Sequence, residues 1–276
     1  MTTRMIDTQT SLFGLIGNPV GHSLGPVMHN QAFAATGCNA VYLAFCVTDV
    51  GGALHSMKAL NVSGLSVTLP HKVTVMEYLD DIDGTAAKIG AVNTIVNTSG
   101  KLTGHNTDSQ GAVTALQAHT QIDGKSIAII GAGGAARSIG FGLAPKAGRL
   151  TILNRTRKTG EQLAAGLQAD FIPLDECQPE RYEILINTTP VGMHPDTHAS
   201  PMAPKALPGE LVVMDIVYNP LNTRLLKEAA DSGCRTISGL DMFVFQGAHQ
   251  FELWTGQKAP VEVMRKAVLE TLKTNH

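Results

Sequence analysis

The stretch "SIAIIGAGGAARSIGFGLA", residues 126–144, decides the fold. Its "IAII" core is a short apolar run, the pattern of a strand buried on both faces. Gly131, Gly133 and Ala136 follow in a G-x-G-x-x-A spacing, and the residues after them read as a helix. The first glycine permits a tight turn, and the second lets the backbone approach a pyrophosphate. The small third residue lets the helix pack closely on the strand. The amino end of that helix then faces the phosphates with its positive dipole. A lone glycine-rich spacing is weak. Its place between an apolar strand and a helix makes it a dinucleotide-binding turn.

The next strand, "RLTILN", sharpens the cofactor. A site for NAD carries an acid about 20 residues beyond the turn, on the ribose hydroxyls. Here that place holds Asn154, Arg155, Thr156, Arg157 and Lys158, with no acid. A guanidinium pairs with a 2′-phosphate in two-pronged fashion and stacks on adenine. An acid would repel that phosphate, so the sequence favours NADP over NAD.

Working outward, apolar runs and helical patterns alternate along the whole chain. In the second half, "EILINT" and "LVVMDI" are further buried strands, with a helix over about 157–167. The chain ends in two helical patterns, 240–254 and 261–273. In the first half, "SLFGLIG" (11–17), "AVYLAFCV" and "GLSVT" read as strands. Helices are expected over 26–36 and from Thr48 or Asp49 to about Leu60. "AVNTIVN" and "KLTGHN" read as a hairpin around Ser99-Gly100. This βαβ rhythm predicts an α/β protein with a mostly parallel sheet. A boundary is expected near 109–120.

Bulk properties narrow the class. The 276 residues are 43% hydrophobic, enough for a full core. Charge is nearly balanced, 21 Lys+Arg against 23 Asp+Glu, with no long basic run, so no nucleic-acid partner is expected. No apolar signal core opens the chain and no window approaches a membrane span. Cys38, Cys46, Cys177 and Cys234 form no C-x-x-C pair, as in a reducing compartment. A cytoplasmic protein without a metal site is expected.

Polar residues gather at predicted strand ends of the first half: Ser23 in "GNPVGHSLGP", Thr68 and Lys72 in "SVTLPHK", Asn93 in "GAVNT", Asp108 in "GHNTD". Ligands of open α/β sheets sit beyond the carboxyl ends of strands. A partly desolvated lysine beside a carboxylate is a proton-handling pair. Taken alone, Lys72 also fits a surface lysine and Asp108 a helix cap.

The ordered set "GNPVGHS" (17–23), "VTLPHK" (67–72), "GAVNT" (90–94), "NTD" (106–108), "GAGGAAR" (131–137), "NRT" (154–156), "NTTPVGM" (187–193), "DIVYNPLNT" (215–223) and "GLDMFVFQ" (239–246) resembles the shikimate dehydrogenase family over nearly the whole length. The resemblance implies two domains with a cleft between them. The substrate domain would comprise 1–109 plus 241–276, and a Rossmann-type, doubly wound NADP domain would span 110–240. It implies reversible hydride transfer between nicotinamide and shikimate, with Lys72 and Asp108 as catalytic pair. Ser23, Gly25, Ser66, Thr68, Asn93, Tyr218 and Gln246 would line the substrate. Gly131, Ala132, Gly133, Gly134, Ala135, Asn154, Arg155, Thr156, Arg157, Lys158, Thr188, Ile216 and Gly239 would hold NADP. The expected assembly is a monomer or homodimer.

Two positions depart from the family pattern. Gly25 stands where a second serine is usual, and Ser66 where asparagine is usual. Both shorten a side chain in the substrate pocket. Quinate or a related cyclic hydroxy acid stays open as substrate, and so does a non-catalytic NADP-binding regulator.

Overall fold

The computed structural model describes residues 6–202 and 207–274. The chain divides into two compact units. One runs to Thr107 and resumes at Gln246; the other is Asp108–Phe245.

The first unit opens with β1 (Ser11–Gly17), α1 (Gly25–Thr36), β2 (Ala40–Cys46), α2 (Val50–Ala59) and β3 (Gly64–Val67). Local chemistry sets these ends. Pro26 sits in the first turn of α1, where no N–H is needed, and Gly37 closes it in the left-handed region at φ 71°. The Asp49 carboxylate accepts from Gly52 N and caps α2. A single-turn 3₁₀ helix at Thr74–Tyr78 follows, then β4 (Asp81–Ile82), α3 (Gly84–Ile89), β5 (Thr94–Thr98) and β6 (Lys101–His105). Ser99 and Gly100, at φ 53° and 88°, make the expected tight hairpin turn.

The strands order β2-β1-β3-β5-β6-β4. The β1–β2, β1–β3 and β4–β6 pairs are parallel, while β5 runs against both neighbours. Asn93 therefore precedes its strand rather than ending it, as the sequence suggested. The reversal of β5 still puts it at the right edge. Val67 N donates to Asn93 O and Thr94 pairs with both Ser66 and His105. The carboxyl ends of β3 and β6 and the amino end of β5 thus share one edge.

The second unit contains α4 (Thr107–Gln117), β7 (Ser126–Ile130), α5 (Gly134–Leu143), β8 (Arg149–Asn154), α6 (Arg157–Leu167), β9 (Asp170–Pro173), β10 (Ile184–Asn187), β11 (Val212–Asp215), α7 (Arg224–Asp231) and β12 (Arg235–Ile237). Its sheet orders β12-β11-β10-β7-β8-β9, all pairs parallel. Counted from β7, that is the 3-2-1-4-5-6 order of doubly wound dinucleotide folds, with the reversal between β7 and β10. One core layer gathers Ile127, Ile129, Ile139, Ile152 and Met214; the other gathers Ala128, Leu153, Leu185 and Val213. Alternate residues of each strand thus face opposite layers.

The chain closes with α8 (Gly239–Thr255) and α9 (Val261–Thr274). The second unit ends at Phe245, within α8, where the sequence puts the boundary at 240. The first turns of α8 pack with the second unit, where Met242 joins the core and Phe243 stacks on Tyr218. Farther along, Trp254 Nε1 donates to Ile95 O of the first unit, 3.0 Å away.

No described helix is long and apolar enough to cross a membrane. The four cysteines make no disulfide. Among the described residues no cluster of His, Cys, Asp and Glu could hold a metal ion.

Candidate active site

The cofactor turn is built from β7, α5 and the start of β10's following loop. Gly131 has φ 110°, which side chains rarely adopt, and a Cβ there would stand 2.7 Å from Thr188 Oγ1. Thr188 is itself held by its N–H and hydroxyl, 3.0 and 2.6 Å from Ile130 O. Around Gly133 and Gly134 a Cβ would meet nothing within 4 Å, and no side chain caps α5. Ala132 and Ala135 add no bulk, so the first N–H groups of α5 face open space. This cradle fits a pyrophosphate.

The β8–α6 corner divides its cations. Arg157 bonds Glu161 at 3.1 Å and lies over Phe171. Arg155 and Lys158 are exposed and make no ion pair among the described residues. Asn154 Nδ2 donates to Thr156 O and Thr159 Oγ1, which shapes the corner. Arg155 and Lys158 are thus the cations free to meet a 2′-phosphate. Gly239 has a packing duty: a Cβ on it would collide with the Ile216 carbonyl.

Sequence reasoning missed one buried group here. Asp215 ends β11 fully buried, accepting from Asn187 Nδ2 at 2.9 Å, Thr223 Oγ1 at 2.7 Å and Val217 N at 3.0 Å. Burial raises its pKa, and these three donors oppose the rise. The signal was present: two apolar strands each ending in a polar residue, "LIN" and "VMD".

In the first unit, the loop after β1 folds Ser23 back, so that Ser23 Oγ accepts from Gly25 N at 3.2 Å. Its N–H bonds Val20 O. A Cβ on Gly25 would stand 3.2 Å from Ser23 Oγ and 3.4 Å from Tyr42 Oη. Thr68 follows β3, its N–H on Ile16 O. Lys72 is half-buried, with its carbonyl accepting from Val92 N. His71 Nε2 bonds Val47 O at 2.7 Å, a structural tie between loops.

Behind these lies a buried polar chain. Tyr42 Oη donates to Ser66 Oγ at 2.7 Å, and Ser66 donates to Gln250 Oε1 at 2.9 Å. Gln250 Nε2 donates to Thr94 Oγ1 at 3.0 Å and Asn93 O at 3.2 Å. Thr94 donates to Asn93 Oδ1, which also accepts from Thr107 N at 2.7 Å. Asp108 follows Thr107 in the chain and sits buried in the first turn of α4. His29 stacks on Tyr42 at 4.6 Å and meets Gln250 Oε1; burial depresses its pKa to about 3, so it is neutral. Gln250 and Tyr42 were not anticipated. Tyr218 stacks on Phe243 with centroids 4.6 Å apart, and Gln246 is half-buried in α8.

A doubly wound dinucleotide fold with a glycine cradle, joined to a second α/β unit rich in oriented hydroxyls and amides, defines a nicotinamide-dependent dehydrogenase. Residues 15–95 match the shikimate dehydrogenase substrate binding domain, and 239–269 match the shikimate 5′-dehydrogenase C-terminal domain. The shikimate dehydrogenase (NADP(+)) of Bacillus cereus strain G9842 is 46% identical over 95% of this chain and 98% of its own. A shikimate dehydrogenase solved in complex with NADP+ superposes with TM-score 0.94 at 42% identity, covering 97% of this chain and 98% of that one. The ligand-free 5-ketofructose reductase of Gluconobacter sp. strain CHM43 gives 0.89 at 35%, covering 96% and 100%. The chain belongs to the shikimate dehydrogenase family.

Proposed function

We propose that the chain interconverts shikimate and 3-dehydroshikimate with NADP(H). The observation that carries this reading is the joint presence of Lys72, Asp108 and a firmly oriented Asn93 with the Gly131–Gly134 cradle and an acid-free β8–α6 corner. The relative from Bacillus cereus bears that activity in its name.

NADP supplies the hydride acceptor or donor when bound. The N–H groups at the start of α5 hold its pyrophosphate, and Arg155 with Lys158 neutralises the 2′-phosphate. Lys72 Nζ takes the proton from the reacting hydroxyl, or returns it to the carbonyl oxygen. Asp108 is the second member of the acid–base pair. Asn93 and Thr68 orient ring hydroxyls, as do Tyr218 and Gln246. Ser23 bonds the substrate carboxylate. The two units act as substrate and NADP domains. The protein works on a small molecule in the cytoplasm, as a monomer or homodimer, without nucleic acid or membrane.

That the Gluconobacter neighbour is a 5-ketofructose reductase leaves substrate choice to the pocket residues rather than the fold. The test is nicotinamide absorbance with NADP+ or NAD+ against shikimate and quinate. NADP+-dependent oxidation of shikimate is expected. No reduction of either nucleotide by any cyclic hydroxy acid would leave only a binding protein.

A further inference from the structure

The chemistry given to Lys72 and Asp108 leaves one buried acid without a task. Asp215 ends β11 at 0% exposure, and all three of its partners are neutral donors. The direction of each bond follows from groups that can act one way only. Asn187 Oδ1 accepts from Thr189 N, so Asn187 turns its amide nitrogen to Asp215. Val217 N can only donate. Thr223 Oγ1 accepts from Leu226 N and gives its own hydrogen to Asp215. Oδ1 takes the first two bonds and Oδ2 the third. Both oxygens therefore accept, as those of an ionised carboxylate do.

These bonds hold three separate pieces of chain: the loop after β10, the loop after β11 and the first turn of α7. Ile216 N adds a bond to Asn187 O at 3.1 Å. Beyond Val217 come Tyr218, stacked on Phe243, and Asn219, whose carbonyl accepts from His194 N at 3.1 Å. Beyond Asn187 comes Thr188, bonded to Ile130 O and packed against Gly131.

Both loops leave strands on one side of the point where the sheet order reverses, between β7 and β10. Each half of such a sheet takes one nucleotide of the cofactor. Arg155 and Lys158, the cations for the 2′-phosphate, follow β8, which places the adenosine half on that side. The nicotinamide half then takes the other side, over the loops that follow β10 and β11. With no exposed atom, Asp215 does not touch the ring and acts only through those loops.

We propose that Asp215 is a positioning residue for the nicotinamide half of NADP(H), its carboxylate fixing the 187–191 and 216–219 loops into the wall that receives the ring. This rests on the cofactor reading above and adds a residue to it. No proton or electron passes through Asp215.

Calorimetric titration of the full chain with NADP+ and with 2′,5′-ADP, which carries the adenosine half alone, tests this. Thr223→Val keeps the side-chain shape and removes the donor to Oδ2, whereas Thr223→Ser keeps the donor. Asp215→Asn keeps Oδ1 and replaces the acceptor that faces Thr223. Thr223→Val and Asp215→Asn should weaken NADP+ by about tenfold, the worth of one good hydrogen bond, and change 2′,5′-ADP by less than about twofold. Thr223→Ser should bind NADP+ as the wild type does. Should Asp215→Asn not fold, the two Thr223 variants decide. An affinity ratio of NADP+ to 2′,5′-ADP in Thr223→Val equal to that of the wild type overturns the proposal and leaves the carboxylate a role in stability alone. Failure of the wild type to bind either compound removes the cofactor reading as well.

Discussion

Asn187 donates its amide hydrogen to the Asp215 carboxylate over 2.9 Å, joining the carboxyl ends of β10 and β11 beside the cofactor cradle. The same asparagine accepts from Thr189 N and Thr189 Oγ1 through Oδ1. One amide thus orients the loop that carries Thr188 and holds a buried acid.

Asn187→Ala leaves Asp215 with one donor fewer, so its already raised pKa rises further. A carboxyl whose folded pKa is raised costs stability as pH climbs from its unfolded value, because only the unfolded state ionises freely. The variant should lose roughly 1–3 kcal/mol at pH 7. The deficit should shrink toward pH 4. Urea denaturation at the two pH values reads this; an equal deficit at both would mean that Asp215 is not the group affected.

His29 gives a pH dependence of opposite sign. Its folded pKa of about 3 lies below the ordinary 6.5. Stability from keeping it neutral is complete above pH 6.5 and falls as pH drops toward 3, by ~1.4 kcal/mol per pH unit within that window. His29→Phe preserves the ring against Tyr42 and should flatten this limb. Denaturant midpoints measured from pH 7 to 4.5 would show whether the wild-type slope exceeds that of the variant.

Arg155→Asp should weaken NADP+ by about 10- to 100-fold, the loss of a charge-assisted bond plus repulsion, with little effect on NAD+. Calorimetric titration of both nucleotides measures it. Equal losses for both would assign the 2′-phosphate to Lys158 instead.

Lys72→Ala and Asp108→Ala should each lower kcat by roughly two orders of magnitude or more. NADP+ affinity should stay within about twofold, because the cradle contains neither residue. Retention of most activity by Lys72→Ala would make it a surface lysine.

Much of this was legible in the sequence because local chemistry governs it. Gly131 and Gly133 declare a turn, and the absence of an acid after β8 declares a 2′-phosphate. Alternation in "AVNTIVN" marks a strand but carries no direction, so Asn93 reads as a strand end although it stands just before β5. β9 and β12 are short, and tertiary pairing rather than pattern forms them; α7 carries its own local signal, a Thr223 cap and a face of Leu225, Leu226 and Ala229. Ser66 and Gln250 lie 184 residues apart, and nothing local to either predicts that they share a hydrogen. Arg157 pairs with Glu161, one turn on, a surface tie that the sequence does not announce.

The first unit is completed by residues 246 onward, which are translated after the whole of the second unit. Gln250 supplies the amide on which Ser66 and Asn93 depend, and the Trp254 indole rests against Gly64. Until residues 246 onward have emerged, β3 and β5 lack their cover and the hydrogen-bond chain has no anchor. The second unit, Asp108–Phe245, has its whole sequence available before then. Synthesis therefore imposes a sequence of events that refolding from denaturant does not: a nascent chain stalled near residue 245 should protect the 108–245 core from protease while the earlier strands are still cut. The order of assembly is opposite to the order of translation.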